Sequence, residues 1–497
     1  MKRTIKIDPV TRLEGHGIID IFLDDAGNVE NAYFQVPEFR GFERFCEGRP
    51  VEELARITPR ICGVCPWAHH IASAKCLDDV FKVEVPQTAK NLRELAYSIY
   101  SFYDKIIHFY FLAAADFIVG PTAAKGERNI LGVIGKVGVD IGKKVIGMYK
   151  DSQEVIQRLG GKAIHPVWGL PGGVSKGVSK DELKEIAEKC KAYIEFAQFS
   201  LKIFDDVVLK NKGYVDIITG NIYQMKSYYM GLVDEKNKVN FYDGHVRVVD
   251  PEGKEFARFA AKDYLDHISE EVLPWTYLKF PYLKNVGWKG LADGKDSGLY
   301  RVAPLARLNA SEGMATPLAQ VEHDRMYEIL GGKPAHNTLA YHWARLVELL
   351  YSAERALELS SDPETAGDNI RNIPEGVPSE GVGVVEAPRG TLFHHYWTDE
   401  RGMVKKVNLI VATGNNYGAM CYSVKRAAQN LIKNGEVNDG LLNMVEMAFR
   451  AYDPCLACAT HNLPGQTPMI VNIYDVDKNI VKTIRRDKPE KTQFFMR

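Results

Sequence analysis

The first 35 residues alternate apolar and polar positions. Ile5 and Ile7 are spaced by charge, and Gly17-Ile18-Ile19-Asp20-Ile21-Phe22-Leu23 runs up to an Asp24-Asp25-Ala26-Gly27 turn, so this region predicts strands. From about 88 to 118 the period becomes that of one long helix with a broad aromatic and alanine-rich face. A glycine- and proline-rich loop follows at 165–173. Ser179 then opens a second long helix, Glu182 completes a capping box, and the apolar period runs to about Lys210. Residues 214–260 predict β-structure, with turns at Tyr242-Asp243-Gly244 and Pro251-Glu252-Gly253. Helical periods return at about 334–359, 417–433 and 439–451. Pro464-Gly465 breaks the chain, and 469–474 with 480–484 predict a hairpin. The expected fold is mainly α, with a long-helix core and small peripheral β-sheets.

Bulk properties narrow the function classes. A hydrophobic share of 45% with 26% charged residues describes a soluble globular chain. A formal charge of −1 gives no global case for binding nucleic acid or anionic membranes. No stretch approaches 18 uncharged apolar residues, so no membrane span is expected. The N-terminus reads as a strand and not as a signal peptide, and the expected location is cytoplasmic.

Eight cysteines remain to be explained. Four form two Cys-x-x-Cys pairs, Cys62-Gly63-Val64-Cys65 and Cys455-Leu456-Ala457-Cys458. Cys46, Cys76, Cys190 and Cys421 are scattered and read as buried small hydrophobes. In a reducing compartment, paired cysteines suggest metal or redox chemistry. Two pairs supply four soft thiolates, which suit zinc, an iron–sulfur cluster or nickel. Zinc ribbons place their pairs roughly 15–20 residues apart, whereas here 390 positions separate Cys65 from Cys455. That spacing suits a buried centre where the two ends of a large fold meet. On spacing alone a four-cysteine zinc site or a pair of redox disulfides stays open.

At these residues the chain resembles nickel–iron hydrogenase large subunits. The resemblance rests on Arg60-x-Cys62-Gly63-x-Cys65 with His69, and on Asp453-Pro454-Cys455-x-x-Cys458 with His461. Further segments in the same order are Asp8-Pro9-Val10-Thr11-Arg12-Leu13-Glu14-Gly15-His16, Arg40-Gly41-Phe42-Glu43, His165-Pro166 and Glu386-Ala387-Pro388-Arg389-Gly390. Asp250-Pro251-Glu252-Gly253 and Lys279-Phe280-Pro281-Tyr282 resemble the cytoplasmic methanogen-type, deazaflavin-non-reducing and methyl-viologen-reducing subgroup.

The resemblance implies reversible heterolytic cleavage of dihydrogen at a nickel–iron centre. Nickel would take Cys62, Cys65, Cys455 and Cys458. Cys65 and Cys458 would bridge to an iron carrying one carbon monoxide and two cyanides. Cys455 would be the first proton acceptor and Glu14 the relay. Arg389 would overhang the metals, held by Asp453 and Asp104. Thr413 would hydrogen-bond a cyanide, and Pro388 and Leu392 would wall the diatomic ligands. Glu43 and His461 would hold Mg near the chain end. His69, His108 and His165 would orient thiolates. Each residue also has an ordinary reading: a solvated carboxylate for Glu14, a salt bridge to Arg40 or Arg44 for Glu43, a core role for the histidines and apolar residues.

The resemblance also divides the chain into a catalytic body at 1–461 and an extension at 462–497. The body would comprise a β region at about 1–35, a helical core and a β insertion at about 214–260. A maturation protease would remove the extension, whose seven Lys or Arg residues outnumber four Asp or Glu. No further cysteine cluster offers an Fe–S relay in this chain. Electrons would therefore pass to a small Fe–S partner subunit, then onward through an iron–sulfur adaptor to heterodisulfide reductase. Deazaflavin or NAD linkage is the alternative. A zinc-stabilised interaction protein, and a scaffold related to the quinone-site subunit of respiratory complex I, are the readings outside hydrogenase catalysis.

Overall fold

The long helix begins at Gln87 and stays α-helical to Ile106, then widens into π-type turns over Ile107–Ala113 and Ala115–Val119. Nearly every residue from Thr88 to Ile106 is buried, so this helix is enclosed on all sides and forms the centre of the molecule. In this computed structural model residues 3–460, 469–475, 477, 479–488 and 491–496 are described. Tyr341–Ser361 packs along the long helix and also along Lys180–Phe204, while Val139–Gly160 covers another flank. Ser179 starts Lys180–Phe204 through the expected capping box: its hydroxyl accepts from Glu182 N–H, and the Glu182 carboxylate accepts from Ser179 N–H.

The sheets are small and separate. Arg3–Ile7, Ile18–Leu23 and Val29–Gln35 form an antiparallel meander whose alternate residues face the core. Tyr228–Val233, His245–Val249 and Glu255–Phe259 form a second sheet with Tyr300–Arg301. Glu380–Ala387, Gly390–Thr398 and Val404–Ile410 form a third, packed on helix Pro66–Val80. This sheet was not anticipated from the pattern, because strands buried on both faces lose alternation.

Three sequence expectations are corrected. Residues 214–219 are helical, not β, because Asn211 caps Gly213 and Tyr214 N–H and starts a helix at Lys212. The helix expected from 334 begins with a 3-10 turn at Thr338 and becomes α at Tyr341. The residues before it are held as loop: Asn309 takes Ala335, and Met225 N–H donates to His336 O. The terminal hairpin is a three-stranded antiparallel sheet, Met469–Tyr474, Ile480–Lys488 and Lys491–Met496. Among the described residues no helix is long and apolar enough to cross a membrane.

Candidate metal centre

Both cysteine pairs sit at helix starts. A 3-10 turn, Thr58–Ile61, delivers Cys62, and Cys65 precedes helix Pro66–Val80 with Pro66 in its first turn. At the other end of the chain, helix Asp439–Arg450 stops, Asp453 turns through a left-handed backbone (φ 59°), and Cys455 precedes Leu456–Ala459. The N-terminal segment is laced to this loop. Glu14 N–H donates to Pro454 O (3.2 Å) and Leu456 N–H donates to Glu14 O (2.9 Å). Gly15 permits the approach: its φ is +89°, and a Cβ there would lie 2.8 Å from Ala457 N. Arg40 donates to Ile61 O (2.5 Å) and Ala457 O (3.4 Å), tying the two cysteine segments together.

The four sulfurs converge within 4.8 Å of one another, all buried. Cys62 Sγ lies 3.3 Å from Cys455 Sγ, Cys65 Sγ 3.1 Å from Cys458 Sγ, and Cys455 Sγ 2.7 Å from Cys458 Sγ. All are free thiols, too far apart for S–S bonds of about 2.05 Å. Hydrogen bonds from Cys455 and its neighbours hold the Cys62 thiol below its ordinary range, while burial pushes Cys455 and Cys458 up. Four buried sulfurs can all be thiolates only beside a compensating cation. The donor set therefore fits a soft metal centre.

Cys65, Cys455 and Cys458 open on a small cavity walled by Ala68, Ala387, Leu392, Val411 and Ala412. Arg389 and Thr413 give that wall its polar groups, with His69 beside them. Arg389 is at the tip of a two-residue hairpin turn, since Ala387 pairs with Gly390. Its guanidinium donates to Asp104 (3.1 Å) and Asp453 (3.1 Å). Burial opposes its charge, but these two carboxylates outweigh burial and hold the pKa above the ordinary value. Asp104 is pushed up to about 6 by burial, and Asp453's like charge adds to this. The Nε of Arg389 is buried without a partner. Thr413 Oγ1 accepts Cys455 N–H (3.0 Å). Pro388 is not in the cavity wall; its carbonyl accepts from Arg307.

Cys455 Sγ donates to Glu14 Oε2 (3.0 Å), and Ala457 N–H donates to the same oxygen (3.2 Å). Burial raises the pKa of Glu14, as does the negative charge of Cys62. Glu43 is buried and accepts Leu409 N–H (2.9 Å). Burial pushes it up to about 7, and it borders a separate cavity with Glu270 and Lys279. His461 lies outside the described residues. His69 Nδ1 meets His394 Nε2 (3.1 Å) and leaves its own Nε2 unpartnered. His108 Nε2 donates to Arg450 O (2.9 Å). His165 holds Pro59 O (2.9 Å), just before Cys62.

Sequence reasoning missed Arg40 as a clamp, and it missed a buried network behind the long helix. There Arg450 and Arg12 share Asp116, while Glu446 takes Arg450 and Thr11. Arg40 and Arg12 stood inside the recognised segments; their partners are backbone carbonyls and distant side chains, which leave no local pattern.

The sequence pattern of the family described as nickel-dependent hydrogenase matches residues 40–129 and 144–461, and one described as HoxL-like matches 4–39. The chain is 49% identical to an F420-non-reducing hydrogenase iron-sulfur subunit of Archaeoglobus profundus, covering 97% of this chain and 99% of that one. It is 38% identical to the "NAD-reducing hydrogenase HoxS subunit beta" of Cupriavidus necator, covering 97% and 99%. A crystal structure of an NAD+-reducing nickel–iron hydrogenase superposes with a TM-score of 0.87 at 35% identity, over 92% of this chain and 99% of that one.

Proposed function

The chain belongs to the nickel-dependent hydrogenase family, and on that premise we propose that Cys62, Cys65, Cys455 and Cys458 hold the nickel–iron centre at which it activates dihydrogen. The supporting observation is the convergence of four buried sulfurs from chain segments 390 positions apart. Cys65 and Cys458 would be the pair shared with iron, as the resemblance implies, and both border the cavity together with Cys455. A compact, mostly apolar cavity with Arg389 and Thr413 at its edge suits an iron carrying one carbon monoxide and two cyanides. Arg389 would offer N–H donors to one cyanide, and the Thr413 hydroxyl would offer one to the other. Glu43 and His461 would hold Mg, as the resemblance implies, with Glu43 offering the carboxylate oxygen that suits that ion.

Metals held by these thiolates would supply the Lewis acidity that polarises dihydrogen for heterolysis. Cys455 takes the proton as base. Glu14, 3.0 Å away, receives it and passes it toward its half-exposed side. Its raised pKa suits a carboxyl that must alternate between holding and releasing a proton. Arg389 keeps a fixed positive charge beside the centre, and the apolar wall excludes water.

Relatives named as subunits support work in an assembly, with electrons leaving to a small Fe–S subunit. The subgroup resemblance extends that route through an iron–sulfur adaptor to heterodisulfide reductase, in the cytoplasm. The NAD-reducing relative supports a second reading, in which a partner reduces NAD. The catalytic body is 1–461, and a maturation protease releases 462–497.

Metal quantitation joined to infrared spectroscopy tests the centre. One nickel and at least one iron per chain, with metal-bound carbonyl and cyanide bands lost in Cys62→Ser and Cys458→Ser, is the expected result. Zinc alone would overturn it. Intact mass of the active chain tests the processing: an active nickel-loaded chain retaining 462–497 refutes it.

A further inference from the structure

We propose that Arg307 is the positioning residue that sets where Arg389 sits over the sulfur cluster. The proposal rests on the reading of Arg389 as the cation beside that centre. Arg389 occupies a two-residue turn, and a turn that short has little backbone to fix its own height. Arg307 grips it from behind. Its Nη1 donates to Ala387 O (2.8 Å) and its Nη2 to Pro388 O (3.3 Å), the two carbonyls just before Arg389.

The grip is itself anchored. Arg307 Nε and Nη2 meet both oxygens of Glu348 (2.6 and 2.8 Å), and Nη1 meets Glu386 Oε2 (2.6 Å). All five N–H donors of the guanidinium are thus engaged. Glu348 stands on helix Tyr341–Ser361, the element packed along the long helix that carries Asp104. The turn bearing Arg389 is therefore tied by one fork to helix Tyr341–Ser361, which in turn packs along the helix that carries Asp104. Lys105, next to Asp104, lies 3.5 Å from Glu348 Oε2 and adds a second cation to this pair of carboxylates.

A core ion pair kept for stability would need none of this. Buried ion pairs are commonly no more stable than apolar replacements, so a dry network of four charges calls for another role. Two of the five donors are spent on the backbone of the turn that presents Arg389.

The test compares Arg307→Lys with Arg93→Lys and Arg389→Lys in the purified complex. Arg93 is an equally buried fork that holds Asp78 and two backbone carbonyls away from the sulfurs. Lysine keeps the charge but cannot span both carbonyls and both carboxylates. The expected result for Arg307→Lys is full nickel and iron, shifted cyanide bands in the infrared, and a kcat lowered about 10- to 100-fold with KM for dihydrogen unchanged. Arg93→Lys should lower thermal stability alone. Unmoved bands with unchanged kcat in Arg307→Lys, or the same band shift in Arg93→Lys, overturn the proposal. If Arg389→Lys moves the bands and Arg307→Lys does not, only the positioning role fails. If Arg389→Lys moves nothing, the reading of Arg389 fails first. Should Arg307→Lys not fold, Glu348→Gln loosens the same fork without touching the turn and is judged on the same bands.

Discussion

Glu14→Gln separates proton transfer from everything else at this centre. The substitution keeps size and keeps an oxygen for Ala457 N–H, 3.2 Å away. One hydrogen bond is preserved and the other becomes a thiolate–amide contact, so stability should change by less than about 1 kcal/mol. The backbone bridge between Glu14 and Pro454–Leu456 is untouched, so the sulfurs should stay gathered and the chain should retain nickel. What is lost is the only carboxyl within hydrogen-bond reach of Cys455 Sγ among the described residues, at 3.0 Å. A positioned acid–base group contributes about 10²–10⁴-fold. A 100-fold loss corresponds to about 2.7 kcal/mol on the barrier. Dye reduction under dihydrogen should therefore fall by at least about 100-fold. Isotope exchange between dihydrogen and heavy water should fall with it, because both need the proton to leave. A nickel-loaded Glu14→Gln chain that exchanges at the parent's rate would refute the relay.

Three further outcomes follow from the same geometry. Gly15→Ala places a Cβ 2.8 Å from Ala457 N on a backbone at φ +89°; the strain and overpacking should cost about 2–4 kcal/mol, seen as a lower thermal midpoint and reduced nickel per chain. Arg389→Met leaves Asp104 and Asp453 facing each other without their cation; breaking this buried pair should destabilise by about 3–5 kcal/mol, and denaturant titration showing no loss would contradict it. His70 is buried, takes Gly169 N–H on Nε2 and donates from Nδ1 to Ala55 O, and burial lowers its pKa to about 4. Only the unfolded chain binds this proton between the unfolded value of about 6.5 and 4, so His70 contributes about 3 kcal/mol above pH 6.5 that is lost as pH falls toward 4. In His70→Gln the stability gap to the parent should shrink across that window; parallel curves would exclude the effect.

The alternative of a zinc-stabilised scaffold, open on spacing alone, loses its footing once the surroundings of the sulfurs are considered. A purely structural four-cysteine site has no use for a cavity beside it. Nor does it need a buried cation on a hairpin tip or a carboxyl 3.0 Å from one ligand sulfur.

Donor chemistry, the order of the elements and several of their starts are legible along the chain. These are local properties. Thiol type and Cys-x-x-Cys spacing, the Ser179–Glu182 capping box and the aromatic period of the long helix each act over a few residues. The resemblance also named Arg389 and Thr413, which line one cavity, and Asp104 and Asp453, which hold Arg389, whereas Pro388 is outside the cavity wall and its carbonyl meets Arg307. How these parts meet follows from the packed fold alone. The buried sheet at Glu380–Ile410 had no alternation to read, the helix at Lys212–Thr219 depended on an asparagine cap inside a β-like stretch, and the clamps by Arg40 and Arg307 end on backbone carbonyls whose positions no side-chain pattern encodes. Distances such as that from Glu14 to Cys455 are set by packing of segments hundreds of positions apart, where hydrophobic burial offsets the entropy of loop closure and fixes a geometry that local propensity cannot specify.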